Sequence, residues 1–92
     1  MRLDRFLWHA RLARTRAVAQ AMATSGHLRV DGRPVGRAHA EVRAGNVLTL
    51  VHGGRIRVLR VETLPVRRGP ATEARACYAE LAAPIDARPT DS

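Results

Sequence analysis

Arg2-Leu3-Asp4-Arg5-Phe6-Leu7-Trp8-His9-Ala10-Arg11-Leu12 decides how this chain is read. Leu3, Phe6, Leu7 and Ala10 fall at i, i+3, i+4 and i+7, which puts them on one face of a helix turned toward a core. Arg5, Trp8 and His9 take the opposite side, with Arg2 and Arg11 on the flanks. Asp4 lies in the first turn, where its charge suits the helix dipole and an arginine partner is within reach. Its role is read as structural.

Working outward, Arg11 to Arg14 is a basic connection, and Thr15 is a good N-cap for a second helix running to Ser25. Val18, Ala19, Met22 and Ser25 cluster on one side of it, and Arg16, Gln20 and Ala23 on the other. An arginine and a glutamine on a small-residue face can come close to a nucleic-acid backbone. Gly26 ends the helix as a residue free to take the left-handed conformation. His27-Leu28-Arg29-Val30 then alternates out and in, Asp31-Gly32 is a two-residue hairpin signal, and Arg33-Pro34-Val35 returns as an edge strand. This turn is expected to hold Arg29 and Arg33 near each other beside the second helix.

His39 to Asn46 reads as a loop with a turn at Gly45-Asn46. Val47 to Val51 and Arg55 to Glu62 read as strands joined through His52-Gly53-Gly54, the second alternating Arg55 and Arg57 against Ile56 and Val58. Leu59 interrupts that alternation and predicts a bulge. Pro70 suits the first turn of a last helix, along which Ala74, Cys77, Tyr78 and Leu81 form a stripe expected to dock on the domain. The segment 84–92 is expected to be a flexible tail.

The charge pattern points the same way. Ninety-two residues allow one small domain and leave little room for an elaborate catalytic cleft. The formal net charge is +8, and all 16 basic residues are arginine. Residues 1 to 45 hold nine arginines against three acids, whereas 46 to 92 hold seven against five. Arginine's planar fork of donors matches phosphate oxygens, so a phosphate-rich partner is expected on the N-terminal half. Cys77 is the only cysteine, which excludes an internal disulfide and fits a buried structural thiol in a reducing compartment. Met1 to Arg5 does not begin a signal peptide and no run approaches membrane-spanning length, so a soluble cytoplasmic protein is expected.

Arg2-Leu3-Asp4, Leu7, Thr15-Arg16, Ala19, Met22, Gly26, Leu28, Val30, Asp31-Gly32 and Val35 together resemble the signature of the S4-type RNA-binding domain. Phe6 to Arg11, and Arg68-Gly69-Pro70-Ala71-Thr72-Glu73-Ala74, resemble one branch of it, the stand-alone ribosome-associated heat-shock proteins of bacteria. The resemblance implies an α+β fold, the αL-motif, in which two N-terminal helices pack on a small, mostly antiparallel sheet followed by a C-terminal helix. On this reading 1–64 is the S4-type domain, 65–83 a C-terminal loop and helix docked on it, and 84–92 the tail. The implied RNA surface comprises Arg2, Arg5, Arg11, Thr15, Arg16, Gln20 and Arg29, with Arg33 at the hairpin. Asp31 stands where the family usually has Asn, and Asn46 follows Gly45 where Asp is usual.

The implied function is non-catalytic binding of structured ribosomal RNA on the large ribosomal subunit, aiding recycling of free large subunits that carry a stalled nascent chain on transfer RNA. The expected partners are ribosomal RNA and peptidyl-transfer RNA, with the chain acting as a monomer and without a cofactor. Three other readings stay open. They are a quality-control factor stabilising peptidyl-transfer RNA on obstructed large subunits, an RNA-binding accessory of a separate enzyme, and a DNA-binding helix-turn-helix, for which duplex DNA should compete as well as RNA. His9, His27, His39 and His52 lack metal-ligand spacing, and no nucleophile motif, paired carboxylates or phosphate-binding glycine loop is present. Phe6, Trp8 and Tyr78 are too few for a sheet that reads successive bases by stacking, which favours structured RNA. Trp8 is either a stacking platform or covered by the C-terminal helix, and packing is the favoured role.

Overall fold

The computed structural model describes residues 1–86. Helix α1 spans Leu3–His9 and α2 spans Arg16–Thr24. Strands β1 (Arg29–Val30), β2 (Arg33–Pro34), β3 (Val47–His52) and β4 (Arg55–Val61) follow, then helix α3 (Ala71–Arg75), β5 (Tyr78–Glu80) and β6 (Ile85–Asp86). The strands form one antiparallel sheet in the order β2-β1-β3-β4-β5, with β6 pairing the other end of β4. This is the α+β arrangement expected from the sequence, with β2 at the edge as Pro34 requires.

The core lies between the two N-terminal helices and one face of the sheet. Leu3, Phe6 and Leu7 are fully buried and Ala10 nearly so, as the helical spacing predicts. They meet Leu28, Val42, Leu48, Leu50, Leu59 and Val61, with Ala19 and Ala23 closing the helix side. The second helix is therefore turned relative to the expected face. Ala23 is in the core, and Val18 is 44% exposed. Two alanines one turn apart let α2 approach α1 closely, which the bulkier Val18 would prevent.

The first helix is shorter than the expected Arg2 to Leu12. Arg11 has φ 59°, and the N–H groups of Arg11 and Leu12 donate back to Trp8 O (3.1 Å) and Leu7 O (2.9 Å). This is a Schellman stop, with arginine in the left-handed position that glycine usually fills. It turns the chain so that Leu12 and Ala13 are buried beside the helix they end. The second helix starts as expected, with Thr15 Oγ1 accepting the Val18 N–H at 3.1 Å.

Both hairpins use two-residue turns with positive φ at each position: 52° and 81° at Asp31-Gly32, 61° and 76° at Gly53-Gly54. No bulge occurs at Leu59. It pairs directly with Leu48 in an unbroken register from Val47↔Arg60 to His52↔Arg55. The inward residues of β4 are Arg57, Leu59 and Val61, one position out of phase with the sequence reading. Arg57 disguised the pattern because it sits at the margin of the core, ion-paired to Glu80 at 2.6 Å and 5.7 Å from the centre of the Tyr78 ring.

The C-terminal helix ends at Arg75, before the expected apolar stripe is complete. Ala74 and Cys77 are buried, whereas Tyr78 begins β5 and Leu81 is 44% exposed. An unpaired edge of β4 leaves backbone groups that need partners, and Tyr78–Glu80 supply them. Ile85–Asp86, at the start of the expected tail, pairs with Arg55–Ile56. The remainder of that tail, 87–92, lies outside the described residues.

Candidate nucleic-acid interface

The arginines divide by how their side chains are already used. Arg2, Arg57, Arg60 and Arg67 are ion-paired to acids, at 2.6 to 3.1 Å. Arg11, Arg29, Arg68 and Arg75 donate to backbone carbonyls. Among the described residues, Arg5, Arg14, Arg16, Arg33, Arg37, Arg43 and Arg55 form neither a hydrogen bond nor an ion pair through their side chains. These seven keep their donors for a partner.

Arg5 and Arg16 come together. With His9 they line a cleft of about 530 Å³ whose other walls are Met1, Leu64, Pro65 and Val66. Arg16 lies over Trp8, 5.6 Å from the ring centre, and Arg68 lies over the same ring at 5.7 Å. Arg68 also donates to Trp8 O and Ala13 O, and Arg11 Nε donates to Gly69 O at 2.6 Å, so the loop before α3 is tied across α1. Trp8 is therefore packed, as favoured, but by two guanidinium groups rather than by the C-terminal helix. His9 Nδ1 stands 3.5 Å from Pro65 O, a contact that needs Nδ1–H because a carbonyl only accepts.

Around Asp4 a second group assembles. Its side chain is 2% exposed and accepts from Arg2 Nε (3.1 Å), Arg2 Nη2 (3.0 Å) and the Arg5 N–H (2.8 Å). Burial by itself would raise the Asp4 pKa. The hydrogen bonds from Arg2 and the Arg5 N–H, the charge of Arg2 and the neighbouring Gln20 amide outweigh it and hold the carboxyl below its ordinary value. Arg2 and Gln20 are thus placed side by side, with part of Arg2's capacity committed to Asp4.

Arg29 and Arg33 do not share a face. Arg33 is paired with Val30, which packs on the core side, whereas Arg29 is paired with Thr49 on the outer side of the sheet. Alternation along a strand separates them even though the turn keeps them close in space. Thr15 is committed through its oxygen to the α2 cap but retains its hydroxyl proton.

Arg14, Arg37 and Arg43 were not singled out from the sequence. The segment carrying Arg37 and Arg43 is anchored on α1 by the N–H groups of Leu3 and Asp4 donating to Ala40 O (2.8 Å) and Ala38 O (3.1 Å), and by Val42 N–H donating to Met1 O (2.8 Å). The density of arginine was a signal for them, but their position beside α1 was not. Among the described residues no three His, Cys, Asp or Glu side chains form a group able to hold a metal ion, and no helix is long and apolar enough to cross a membrane.

The S4 domain model matches residues 1–48, the two helices, the first hairpin and the start of β3. The chain belongs to the S4 domain family. It is 34% identical to heat shock protein 15 of Escherichia coli K12 over 96% of its own length and 65% of that protein. It is 31% identical to the heat shock protein 15 homolog of Haemophilus influenzae, over 96% of this chain and 66% of the relative. The chain thus spans just under two thirds of the length of these curated relatives. The trimeric structure of Vibrio cholerae heat shock protein 15 superposes with a TM-score of 0.83 at 32% identity, over 89% of this chain and 82% of that one.

Within the S4 domain two departures from the usual pattern touch each other. Asp31 Oδ2 accepts from Asn46 Nδ2 at 2.8 Å, Asp31 Oδ1 accepts the Val47 N–H at 2.8 Å, and Asn46 Oδ1 accepts the Arg43 N–H at 2.7 Å. The usual Asn and Asp have changed places, and each hydrogen bond still has a donor and an acceptor. The Asp31 carboxylate is occupied by the start of β3 instead of standing as a free negative charge on the arginine surface.

Proposed function

We propose that this chain binds structured ribosomal RNA on the large ribosomal subunit through the α1–α2 surface, without catalysis. It would thereby aid recycling of free large subunits that carry a stalled nascent chain on transfer RNA. The observation that carries this reading is the set of uncommitted arginines around the two helices of an S4 domain: Arg5, Arg14, Arg16, Arg37 and Arg43, with Arg33 at the hairpin. Charged groups left unpaired beside one another repel, and a polyanion removes that cost. Arg2, Gln20 and the Thr15 hydroxyl would add hydrogen bonds along the same surface, while Arg11 and Arg29 would contribute only the donors left after their contacts with Gly69 and Gly32. The ribosomal target and the recycling role draw on the similarity to heat shock protein 15, and the site is cytoplasmic on this reading.

Sedimentation of the tagged protein through a sucrose gradient of cell lysate tests it. Wild type should travel with free large subunits, and an Arg5→Ala/Arg16→Ala variant should stay near the top while keeping its far-ultraviolet circular dichroism. Absence of the folded wild type from every ribosomal fraction would reject the ribosomal target.

A further inference from the structure

The cleft beside α1 has two unlike walls. Arg5, Arg16 and His9 supply its polar lining, and Met1, Leu64, Pro65 and Val66 its apolar lining. Phosphate contacts along a duplex backbone need only the first wall. The second needs a ligand with an apolar face, and a nucleotide carries both parts in one unit. We infer that this cleft holds a single unpaired nucleotide of the bound RNA, its phosphate on Arg5 and Arg16 and its base against Pro65 and Val66. The inference rests on the RNA-binding reading above and names the part of the RNA that this site takes.

Size supports it. A cleft of about 530 Å³ lies within the roughly 300 to 1,000 Å³ of small-ligand sites and is too small for a helix of RNA. Val66 supports it too, being 92% exposed, the highest value among the exposed large hydrophobic residues of the described chain. Packing within the chain gives no reason for an aliphatic side chain to stand bare at the mouth of an arginine-lined cleft. A base laid against it would cover it. Trp8 cannot perform this task, since Arg16 and Arg68 both lie over its ring.

The site is also held in shape before any ligand arrives. Arg16 lies over Trp8, Leu64 packs against the core, Pro65 O stands 3.5 Å from His9 Nδ1, and the loop that follows is tied down by Arg68 on Trp8 O and Ala13 O and by Arg11 on Gly69 O. Little ordering remains to oppose binding. A paired base in an A-form helix cannot enter such a cleft, whereas a bulged or loop nucleotide can.

Two fluorescent probes and one competitor test this by anisotropy: a fully paired RNA hairpin closed by a non-nucleotide linker, the same hairpin with a one-nucleotide bulge, and a free nucleoside monophosphate as competitor. The bulged hairpin should bind about tenfold more tightly than the paired one, the difference expected if roughly 50 to 60 Å² of apolar surface is covered. Val66→Ser, at an exposed position, should remove most of that difference and leave affinity for the paired hairpin within about twofold. A 2-aminopurine placed in the bulge should change its fluorescence on binding wild type and much less on binding Val66→Ser. Equal, salt-dependent affinity for the two hairpins would overturn the nucleotide site while leaving RNA binding intact. Binding to neither hairpin would overturn both readings. A free monophosphate competing as well as the bulged hairpin would overturn the RNA assignment of the cleft and make it a small-molecule site.

Discussion

Exchanging the two side chains that tie the first hairpin to β3 measures how strongly Asp31 and Asn46 depend on each other. In Asn46→Asp the amide that donates to Asp31 becomes a second carboxylate, bringing two acceptors to a 2.8 Å contact. Two unit charges about 4 Å apart repel by about 1 kcal/mol in bulk water and more beside protein. The lost hydrogen bond adds about 1 kcal/mol. The site is exposed and the side chains can swing apart, so about 2 kcal/mol is the reasonable total. Asp31→Asn has a milder effect. The new amide oxygen still accepts the Val47 N–H, but its NH2 meets the NH2 of Asn46, and the loss is about 1 kcal/mol. The double variant restores one donor opposite one acceptor and should stand within about 0.5 kcal/mol of wild type. The coupling is then about 3 kcal/mol. Urea denaturation followed through Trp8 fluorescence measures all four proteins, and Asn46→Asp alone should lower Tm by about 10 °C in a domain of this size. Additive losses, with the double variant least stable of all, would show that these side chains do not meet as described.

Two further outcomes follow from the site. Asp4 has a folded-state pKa below its ordinary value, so its stabilising effect is complete above the unfolded carboxyl range and disappears as pH falls through the folded value. Asp4→Asn should therefore cost about 2 kcal/mol at pH 7, with the gap to wild type closing progressively below about pH 4 in urea titrations at several pH values. Binding of the paired hairpin should show a slope of log affinity against log salt of about −3 to −5, and Arg5→Ala should reduce its magnitude by about 1, whereas Arg60→Ala, whose side chain is already paired with Glu62, should leave it unchanged.

What could be read from sequence was local. Leu3, Phe6, Leu7 and Ala10 declare their face through helical spacing, and Asp31-Gly32 and Gly53-Gly54 declare their turns through the backbone conformations those turns require. The Thr15 cap is equally short-range. Misreadings occur where a partner distant in sequence decides. Arg57 looks like a solvent-facing residue until Glu80 and Tyr78 are seen across it. Tyr78 continues a helical stripe on paper, yet the vacant edge of β4 draws it into a strand. Arg11 and Arg68 look like further positive charge, and both turn out to fasten the loop before α3 to the end of α1, about 60 residues apart along the chain. The candidate surface was legible as a composition and not as a geometry, because arginines on adjacent strand positions, such as Arg29 and Val30's partner Arg33, leave opposite faces of the ladder.

That division bears on why arginine, rather than positive charge as such, matters here. Arg16 lies over Trp8, 5.6 Å from the ring centre, and its N–H donors form no hydrogen bond within the described residues, so it can serve the fold and a phosphate at once. A lysine at the same position would keep the charge but lose both the planar stacking and the two-pronged donor geometry. Arg68, also over that ring, is consumed by backbone carbonyls and adds rigidity instead of binding capacity. Net charge therefore overstates the interface. What sets its strength is the subset of guanidinium groups that the fold orients without neutralising, and Arg5 and Arg16 are the pair for which the described structure provides a shared cleft.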